Sequence, residues 1–463
     1  MLLVGDGDRF PVRYTKTDRK DANAFDTAFY PMDLYYAALY KQDGSFDDWD
    51  NNNNGYYGEL HGETHTGSIN IDLVNLVPIV AVGRVPASTL EEVNRYVQKV
   101  IRYENSEDRS WAANALLAAT HDWQFDACHV MERIARNVLK RFQVTLLFSA
   151  GSPCDGAGNL TPGAITSALN RGVGLFGYIG HGDVGSLATG NGYWDAPEVA
   201  QLTNSKELAV MLVAACSTAM FATLPPYSAY TDINGNNHVG TVGGEVFNAR
   251  PPQPACLQRW SDPDNDLATL LTVRTDAGAV AYLGGVTGIQ MYEPVEYLLQ
   301  GLVSHPTLGE AWQWMVAHFY NVQGVPGTLS QPDWFAVARM HHPWKYMLFG
   351  DPSLKVMRPP ESPLHRQYDL SESYWRTLYG LIDDSPGAVI NIITGKIKPI
   401  PPVYRDILKH VLIDEIARTL PTTAGLRIRK VVLESAIRTF QNEVDEVKEM
   451  IEASTRTSGD KEA

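Results

Sequence analysis

The two segments that decide the fold are GLFGYIGHGDVG, residues 174–185, and AVMLVAACSTAM, residues 209–220. Their apolar runs, LFGYI and VMLVAA, are too short for a typical helix and too apolar for an exposed strand. We therefore predict two strands of a parallel sheet that are buried on both faces. His181 follows the first strand and Cys216 follows the second. Because ligands meet the carboxyl ends of the strands in open α/β sheets, these side chains form a candidate Cys/His dyad.

The residues around this dyad supply the other groups that thiol catalysis requires. A thiol that attacks a carbonyl needs a base to make the thiolate and a donor to hold the developing oxyanion. His181 is the candidate base. The N–H groups of Gly182 and Cys216 are candidate oxyanion donors, because glycine has no side chain to block the approach. Spacing alone leaves a second interpretation open, in which Cys216 is a small buried hydrophobic residue and Gly-His-Gly is a turn.

The composition indicates a globular chain with an excess of acidic residues. Its 463 residues favour about two to four domains, and a hydrophobic content of 44% is ample for sizeable cores. With 38 basic and 53 acidic residues, the formal net charge of −15 argues against nucleic-acid or anionic-membrane binding and favours cations and basic partners. Four cysteines are too few for a disulfide scaffold in a chain of this length, so the compartment stays open.

The chain shows no pattern for membrane insertion or secretion. No apolar stretch is long enough for a transmembrane helix, and the opening MLLVGDGDRF lacks the basic start and long apolar core of a signal peptide. LLVGD has instead the pattern of a central buried strand, which normally has earlier chain packed around it. We therefore expect the first structural unit to lack its opening strands.

Two helix starts are marked by capping residues. Ser88 is followed by Glu91 three residues later, which is the spacing of a capping box, and Thr161 precedes the helical segment PGAITSALNRG. The first of these helices has an apolar face at helical spacing, formed by Val93, Tyr96, Val97, Val100 and Ile101. Both segments follow predicted strands, as the crossover helices of a parallel sheet do.

The pattern of the chain divides it into five regions. Short apolar runs alternate with helical segments up to about residue 360, which predicts an α/β fold with a partial subdomain at 1–105 and a catalytic subdomain at 106–360. Residues 361–400 form a linker that contains the stiff KIKPIPP. Residues 401–455 carry apolar side chains at three- and four-residue steps, typical of a helical hairpin or short coiled coil that can self-associate or bind a partner. Residues 456–463 are predicted to be a disordered tail.

The loop DWDNNNNGYYGE, residues 48–59, approximates the spacing of a calcium-binding EF-hand loop. Hard oxygen ligands alternate along such a loop, and a glutamate at the twelfth position closes the shell. The sixth position holds Asn53 in place of glycine, and asparagine tolerates the left-handed conformation that this position needs. The sequence predicts either a structural calcium site or an Asn-rich surface turn, and the candidate ligands are Asp48, Asp50, Asn52, Asn54 and Glu59.

Several stretches resemble, in the same order, the gingipain family of cysteine endopeptidases in the caspase-like clan. YIGHG, with LTNSKELAVMLVAACSTAMF downstream, resembles the catalytic core of that family. Five further stretches resemble other parts of the family's sequence: LLVGDGDRFPVRY, MDLYYAALY, WDNNNNGYYGE, VAVGRVPAST and LFGDPSL. Together these stretches cover about residues 2–357. The resemblance implies two caspase-like three-layer α/β/α units with mostly parallel sheets. The first would be a degenerate partner of the catalytic second, truncated at its N-terminus, and a small helical C-terminal region would follow.

The resemblance also implies roles for particular residues. His181 corresponds to the catalytic histidine of the family, Cys216 to the nucleophile and Gly182 to the oxyanion donor. In members that cleave after basic residues, an acidic residue at the start of the helix two strands upstream lies at the floor of the P1 pocket, and Asp126 aligns with it. An Asp at that place is also an ordinary helix N-cap. Asp122 is the candidate for the acid that orients the histidine, or else a surface carboxylate.

These expectations combine into one function and one alternative. We expect a cysteine endopeptidase that acts on polypeptides through a thioester acyl-enzyme, prefers Arg or Lys at P1 and needs no cofactor for catalysis. The resemblance implies an extracellular or cell-surface location. The four residues after Cys216, STAM at 217–220, differ from those of well-known members of the family, which leaves substrate preference open. The alternative is a catalytically inactive caspase-like scaffold that binds partners through its C-terminal helices.

Overall fold

The computed structural model describes most of the chain before residue 360. The described residues are 1–18, 29–41, 43–61, 66–121, 127–154, 157–224, 230–238, 253–259, 266–325, 327–331 and 333–359. The predicted linker, helical region and tail at 361–463 lie outside them, and so do Asp122 and Asp126. Residues 1–360 belong to one compact unit.

A nine-stranded sheet forms the centre of this unit. In space the strands follow the order β1-β2-β9-β8-β7-β6-β3-β4-β5 when they are numbered along the chain. Neighbouring strands are parallel throughout except where β8 meets β9. The predicted α/β class with a mostly parallel sheet is therefore confirmed. The strands are β1 (Leu2–Val4), β2 (Gly83–Val85), β3 (Asn114–Ala119), β4 (Gln143–Phe148), β5 (Gly158–Asn159), β6 (Leu175–Ile179), β7 (Ala209–Ala214), β8 (Ala279–Gly285) and β9 (Tyr346–Phe349).

The two strands that were predicted from apolar runs, β6 and β7, are neighbours in the middle of the sheet. Every residue of both strands is buried. Successive side chains of a strand point to opposite faces, so complete burial means that both faces of the sheet are covered here. The apolar runs therefore mark strands that pack on both faces, as expected for the centre of a parallel sheet.

The described helices connect or flank these strands. None of them is both long and apolar enough to cross a membrane. A short π-helical turn, Leu270–Arg274, continues the fifth helix, and 3₁₀ turns lie at Leu34–Tyr36 and Ser110–Ala113. The helices are α1 (Leu90–Glu104), α2 (Ala127–Asn137), α3 (Pro162–Leu169), α4 (Ala196–Val199), α5 (Leu267–Thr269), α6 (Glu293–Ser304), α7 (Leu308–Gln323) and α8 (Trp334–Lys345).

The capping residues show how the sequence starts two of these helices. The hydroxyl of Thr161 accepts a hydrogen bond from the N–H of Ala164 at 3.1 Å, so Thr161 is confirmed as the N-cap of α3. The predicted cap of α1 is wrong by one residue. Thr89 accepts from the N–H of Glu92 at 3.3 Å, and the Glu92 carboxylate accepts from the N–H of Thr89 at 3.2 Å. Ser and Thr stand side by side here, each with Glu three residues later, and the pair that starts at Thr89 forms the capping box.

Smaller sheets flank the main one. They hold the connecting segments of the chain in place, among them the hairpin that begins directly after His181. The members of the four small sheets are Phe29–Pro31, Tyr14–Asp18 and Tyr57–His61; Gly182–Asp183, Ser186–Ala188 and Tyr193–Trp194; Asn237–His238, Tyr230–Asp232 and Gln258–Arg259; and Gly67–Ser68 with Thr328–Leu329.

The two N-terminal strands join the sheet that holds β6 and β7. The pairing between β2 and β9 places Arg84 opposite Phe349. The guanidinium of Arg84 is fully buried and forms a bidentate ion pair with Asp33, at 2.7 and 2.8 Å, and donates to the carbonyl of Gly5 at 2.8 Å. A buried charge requires such pairing. Strands from both sides of the predicted boundary near residue 105 thus share one sheet, and that boundary stays a prediction.

One disulfide joins the start of a helix to a loop at the carboxyl edge of the sheet. Cys128, in the first turn of α2, is bonded to Cys154 in the loop after β4, with Cα atoms 6.1 Å apart. The other two cysteines are free thiols, and Cys216 is half-buried whereas Cys256 is exposed. A single bond of this kind is consistent with the expectation that the chain has no disulfide scaffold.

Candidate active site

His181 and Cys216 leave the sheet side by side. Ile179 and Ala214 are paired in the parallel ladder between β6 and β7, and each of the two functional residues lies two positions beyond its member of that pair. The N–H of Gly180 donates to the carbonyl of Ala214 at 3.0 Å, which extends the pairing past the end of β6. The carboxyl edge of two adjacent parallel strands thus brings the histidine and the cysteine to the same place.

The backbone of His181 is fixed by a hairpin while its side chain is exposed. Its carbonyl oxygen accepts from the N–H of Ala188 at 3.0 Å. The Tyr178 hydroxyl lies 2.8 Å from the carbonyl oxygens of both His181 and Ala188. Burial raises the pKa of Tyr178 well above its usual value, so this hydroxyl stays protonated and can donate. The backbone of His181 is therefore held in place, while its imidazole is exposed where a peptide and water can both reach it.

Cys216 lies on a sharp turn after β7. Its Sγ is 3.5 Å from the backbone N of Ile289 and 3.6 Å from the carbonyl oxygen of the same residue. The next residue, Ser217, has a φ of 58°, in the left-handed region that residues other than glycine rarely adopt. The N–H of Ser217 donates to the carbonyl of Thr287 at 3.0 Å, which holds this turn against the end of β8. The thiol is thereby presented at a fixed position.

The backbone around the two residues directs N–H groups away from the sheet ladders. The N–H of Ala188 donates to the carbonyl of His181, so these two residues are a hydrogen-bonded pair of the hairpin. Gly182 and Leu187 are the next pair, and in an antiparallel hairpin this pair is non-hydrogen-bonded. In a non-hydrogen-bonded pair each N–H points away from the partner strand, and this applies to the N–H of Gly182. Within the part of the chain that the structure describes, the N–H of Cys216 donates to no acceptor. This geometry suits two donors to one carbonyl oxygen.

Close packing of Gly182 joins the histidine segment to the cysteine turn. A Cβ atom added to Gly182 would lie 2.8 Å from the Cβ of Ala215, 2.9 Å from the Cγ2 of Thr218 and 2.9 Å from the carbonyl oxygen of Ser186. Ala215 and Thr218 flank the cysteine, so the backbone of Gly182 lies directly against the turn that carries Cys216. Only glycine fits this approach without moving one of the two segments.

Asp266 begins the helix that contacts both the hairpin after His181 and the turn after Cys216, and the sequence analysis missed this residue. Its buried carboxylate accepts from the N–H of Thr269 at 2.9 Å and caps α5. The N–H groups of the next two residues donate to the carbonyls of Val184, at 3.1 Å, and of Thr218, at 3.2 Å. Burial raises the pKa of Asp266 to about 7. The first turn of α5 thus holds both the hairpin after the histidine and the turn after the cysteine. An Asp directly before the apolar LATLL was the available signal.

The candidate calcium loop satisfies its own polar groups. The Glu59 carboxylate accepts from the side-chain amides of Asn52, at 3.1 Å, and of Asn54, and from the ammonium of Lys16 at 3.0 Å. Burial by itself would raise the pKa of Glu59, but these hydrogen bonds and the Lys16 charge outweigh it and lower that pKa below its usual value. Glu59 is therefore ionised and already has cationic and amide partners.

The other carboxylates of this loop accept hydrogen bonds from backbone N–H groups. Asp50 accepts from Asn54 at 2.8 Å and from Gly55 at 2.9 Å, and Asp48 accepts from Asp50 at 3.4 Å. Among the described residues, these carboxylates do not form a group of three whose donor atoms lie within 4.8 Å of one another. Binding of a cation would therefore require the asparagine amides to turn their oxygens inward.

Asp72 is an acidic neighbour of this loop that the sequence analysis missed. Its side chain is fully buried, and one carboxylate oxygen accepts from the N–H of Glu59 at 2.7 Å. The other oxygen is buried and has no hydrogen-bond partner among the described residues. Burial raises the pKa of Asp72 to about 6, and the nearby charge of Glu59 adds to this rise. Asp72 lies outside the twelve-residue spacing, so the loop motif gave no signal for it.

Comparison with known families and curated proteins gives matches that each cover about half of the chain. The model of peptidase family C25 matches residues 1–243, which is more than half of the sequence. Gingipain R2 of Porphyromonas gingivalis is 24% identical over 253 residues, which cover 52% of this chain and 31% of that protein. Gingipain R1 of the same organism is 24% identical over 253 residues, which cover 52% of this chain and 23% of that protein. The chain thus spans less than a third of the length of these curated relatives.

Comparison with solved structures gives matches over a larger part of the chain. The Arg specific cysteine proteinase gingipain R is 18% identical, with 77% of this chain and 64% of that chain covered and a TM-score of 0.48. The complex of Porphyromonas gingivalis RgpB pro- and mature domains is 19% identical, with 77% and 65% covered and a TM-score of 0.48. In both cases more than a third of the solved chain has no counterpart here.

Proposed function

The chain belongs to peptidase family C25, and from this membership we propose that it is a cysteine endopeptidase acting on polypeptides. The observation that carries the proposal is the meeting of His181, Gly182 and Cys216 at the carboxyl edge of β6 and β7. These three residues supply the base, the oxyanion donor and the nucleophile that thiol catalysis requires. The family match includes all three of them.

In the proposed acylation step, the sulfur of Cys216 attacks the carbonyl carbon of the scissile peptide bond. The carbonyl oxygen becomes an oxyanion and accepts hydrogen bonds from the N–H groups of Gly182 and Cys216. One such donor contributes about 10²–10³-fold to kcat in known hydrolases. The thiol proton passes to His181, which gives it to the leaving amine as the C–N bond breaks. The product of this step is a thioester between the substrate and Cys216.

In the proposed deacylation step, water attacks the thioester carbon. His181 takes a proton from this water, the C–S bond breaks, and the proton returns to the sulfur of Cys216. The exposed position of His181 supports this role, because the incoming water has to reach the imidazole. The scheme uses groups of this chain at every step, and no cofactor is part of the proposal.

We also propose a preference for Arg or Lys at P1. The solved gingipain R is described as Arg specific. The resemblance of this chain to the gingipain family aligns Asp126 with the acidic residue in the P1 pocket of members that cleave after basic residues. Asp126 lies outside the described residues, so its assignment depends on sequence order alone. A carboxylate that pairs with a guanidinium forms a bidentate, charge-assisted contact, which gives strong selectivity when the pair is desolvated.

Replacing Asp126 with Ala is expected to remove the P1 preference. Loss of one partner of a buried charge pair costs about 2–5 kcal/mol, so kcat/KM for peptides with Arg or Lys at P1 should fall by roughly 30- to 5000-fold. Peptides with neutral P1 residues should be cleaved at rates near those of the unaltered chain. The measurement is cleavage of a mixed peptide library, with products identified by mass spectrometry.

The control for this variant is Asp183→Ala. Asp183 is an exposed acid in the hairpin next to Gly182, and its carboxylate accepts from the N–H of Val184 at 2.8 Å. This change should leave the P1 preference unaltered. An unchanged preference in the Asp126 variant, or a loss of preference in the Asp183 variant, would show that the P1 assignment is wrong. Absence of cleavage across the whole library by the unaltered chain would count against the endopeptidase itself.

An extracellular or cell-surface location is part of the same proposal. The family resemblance implies it, and the disulfide between Cys128 and Cys154 supports it on physical grounds. Disulfides form and persist in oxidising compartments and are rare in a reducing cytosol.

We propose in addition that the loop at residues 48–59 binds calcium for stability, with Asp72 as a further ligand. The support is the set of oxygen-bearing side chains in alternating order and the buried oxygen of Asp72 that lacks a hydrogen-bond partner among the described residues. Calcium prefers six to eight oxygen ligands, and carboxylates and amide oxygens are typical ones. The ligands that would hold the ion are Asp48, Asp50, Asn52, Asn54 and Glu59 of the loop, together with Asp72.

Calcium is expected to raise the melting temperature of the chain. At a free concentration of roughly 100 times Kd, binding to the folded state alone adds about 2.7 kcal/mol to the free energy of unfolding. Thermal melts in calcium and in a chelator measure this difference. The difference should disappear in Asp72→Asn and persist in Asp43→Asn, which alters an exposed carboxylate bound to Ser45 in the same segment. Identical melting with calcium and with chelator in the unaltered chain would end the metal proposal.

A further inference from the structure

Cys128, His129 and Cys154 form a cluster of metal-binding side chains outside the candidate active site. One donor atom from each of the three lies within 4.8 Å of the other two. The two sulfurs are joined as a disulfide, and His129 is exposed on the solvent side of the cluster. In the part of the chain that the structure describes, no other group of three His, Cys, Asp or Glu side chains meets this distance.

Both cysteines are positioned by contacts that do not depend on the bond between them. Cys128 lies in the first turn of α2 and is buried, and Met131 and Ile134 of the same helix are fully buried in the core. The loop after β4 is held at Ser149, whose hydroxyl accepts from the N–H of His121 at 2.6 Å. The N–H of Cys154 also donates to the hydroxyl of Ser152 at 3.4 Å. None of these contacts involves the disulfide, so both backbone segments can keep them after reduction.

Two thiolates and one imidazole are the ligands that zinc prefers. Zn²⁺ binds Cys sulfur at about 2.3 Å and His nitrogen at about 2.0 Å in a tetrahedral arrangement, with the sulfurs about 3.8 Å apart. Calcium and magnesium prefer oxygen ligands, so this donor set excludes them. Two thiolates also neutralise the charge of the ion beside the buried face of α2. With three protein ligands, the fourth position faces solvent and is left for water.

We propose that Cys128, His129 and Cys154 form a zinc site that the disulfide closes and that reduction opens. In the first step a thiol or dithiol reductant gives two electrons and two protons to the disulfide, which becomes two thiols while the reductant becomes a disulfide. In the second step Zn²⁺ binds both sulfurs and the imidazole, and the two thiol protons are released to solvent. The site is separate from the proposed peptidase chemistry and does not depend on it.

The test uses the full chain with Cys216→Ala and Cys256→Ala, so that Cys128 and Cys154 supply the only thiols. The protein is prepared in oxidised form and after reduction with a phosphine, and bound zinc is measured by equilibrium dialysis with Zn²⁺ alone. One zinc per chain is expected in the reduced form and none in the oxidised form. With Co²⁺ as a probe, the reduced form should show thiolate-to-cobalt charge-transfer absorption and the d–d bands of a tetrahedral ion.

Replacing His129 with Ala separates the three-ligand site from a pair of thiols. Changes in groups that only support a ligand already cost about 10–100-fold in metal affinity, so loss of the ligand itself should weaken zinc binding by at least about 100-fold. The matched control is Glu132→Ala, one turn further along α2, which should bind zinc as before. Circular dichroism of each reduced protein checks that it remains folded. Equal zinc binding by the oxidised form, no zinc in a folded reduced form, or full affinity in His129→Ala would each overturn the proposal.

Discussion

Cys216→Ala is expected to abolish hydrolysis of peptide bonds while the chain stays folded. The variant lacks the sulfur that forms the thioester, and no other described group occupies its position at the edge of β7. Removal of the nucleophile from a hydrolase with an intact oxyanion site lowers kcat on the order of 10⁶-fold. The residual rate comes from the oxyanion donors and from substrate binding. The measurement is kcat for a peptide that the unaltered chain cleaves, together with the melting temperature of both proteins.

The other free thiol of the chain provides the control. Cys256 is exposed, whereas Cys216 is half-buried with its sulfur against the backbone of Ile289. Cys256→Ala should keep full activity, and a peptidyl electrophile should label Cys216 in both the unaltered chain and this variant. Cleavage by Cys216→Ala at the rate of the unaltered chain would contradict the proposed function. An inert Cys216 in an inactive but folded chain would favour the alternative of a catalytically inactive scaffold.

The sequence was sufficient to place the two strands that lead to His181 and Cys216 because their signal is local. LFGYI and VMLVAA are continuous apolar runs, and both became central strands with every residue buried. Once two neighbouring strands are parallel, their carboxyl ends must lie at one edge, so the residues two positions beyond each strand meet. The positions of His181 and Cys216 follow from these two facts. The family match adds membership in peptidase family C25, which the spacing alone left open.

The order of the strands could not be predicted in the same way, because it depends on contacts between distant parts of the chain. The sheet reaches β1 and β2 only through β9, which comes more than 250 residues after β2. β9 runs antiparallel to β8, so β9, β2 and β1 run opposite to the other six strands of the sheet. Nothing within a single strand specifies this reversal. The ion pair of Arg84 with Asp33 stabilises the result, but neither residue identifies its partner in the sequence.

The sequence analysis missed two polar groups, Asp72 and Asp266, for the same reason. Asp72 meets the candidate calcium loop through the N–H of Glu59, thirteen residues away. Asp266 meets the active site through backbone contacts of α5 with Val184 and Thr218. In each case an ordinary acidic residue becomes important only after the chain has folded around it. Burial then raises the pKa of both carboxyls, to about 6 for Asp72 and about 7 for Asp266.

Gly182→Ala is expected to lower kcat strongly with a smaller effect on KM. The added methyl group would lie 2.8 Å from the Cβ of Ala215 and 2.9 Å from the Cγ2 of Thr218, which is closer than real carbon atoms approach. The hairpin and the cysteine turn must therefore separate, and the two oxyanion donors move apart. Loss of one donor lowers kcat by about 10²–10³-fold. The kinetic constants are measured on the peptide used for the Cys216 variant.

A second glycine distinguishes this effect from a general loss of stability. Gly177 is the middle residue of β6, and in Gly177→Ala the new methyl group would lie 2.7 Å from the Cδ2 of Leu117, inside the core and away from the candidate active site. Overpacking of a core costs about 1–3 kcal/mol of stability, so both variants should melt at lower temperature. Only Gly182→Ala should lose kcat in the folded state. If the two variants lost kcat equally at matched stability, the effect would be structural, and Gly182 would have no role as an oxyanion donor. If Gly182→Ala alone loses kcat, the contact between the two loops that carry His181 and Cys216 is itself part of the catalytic machinery.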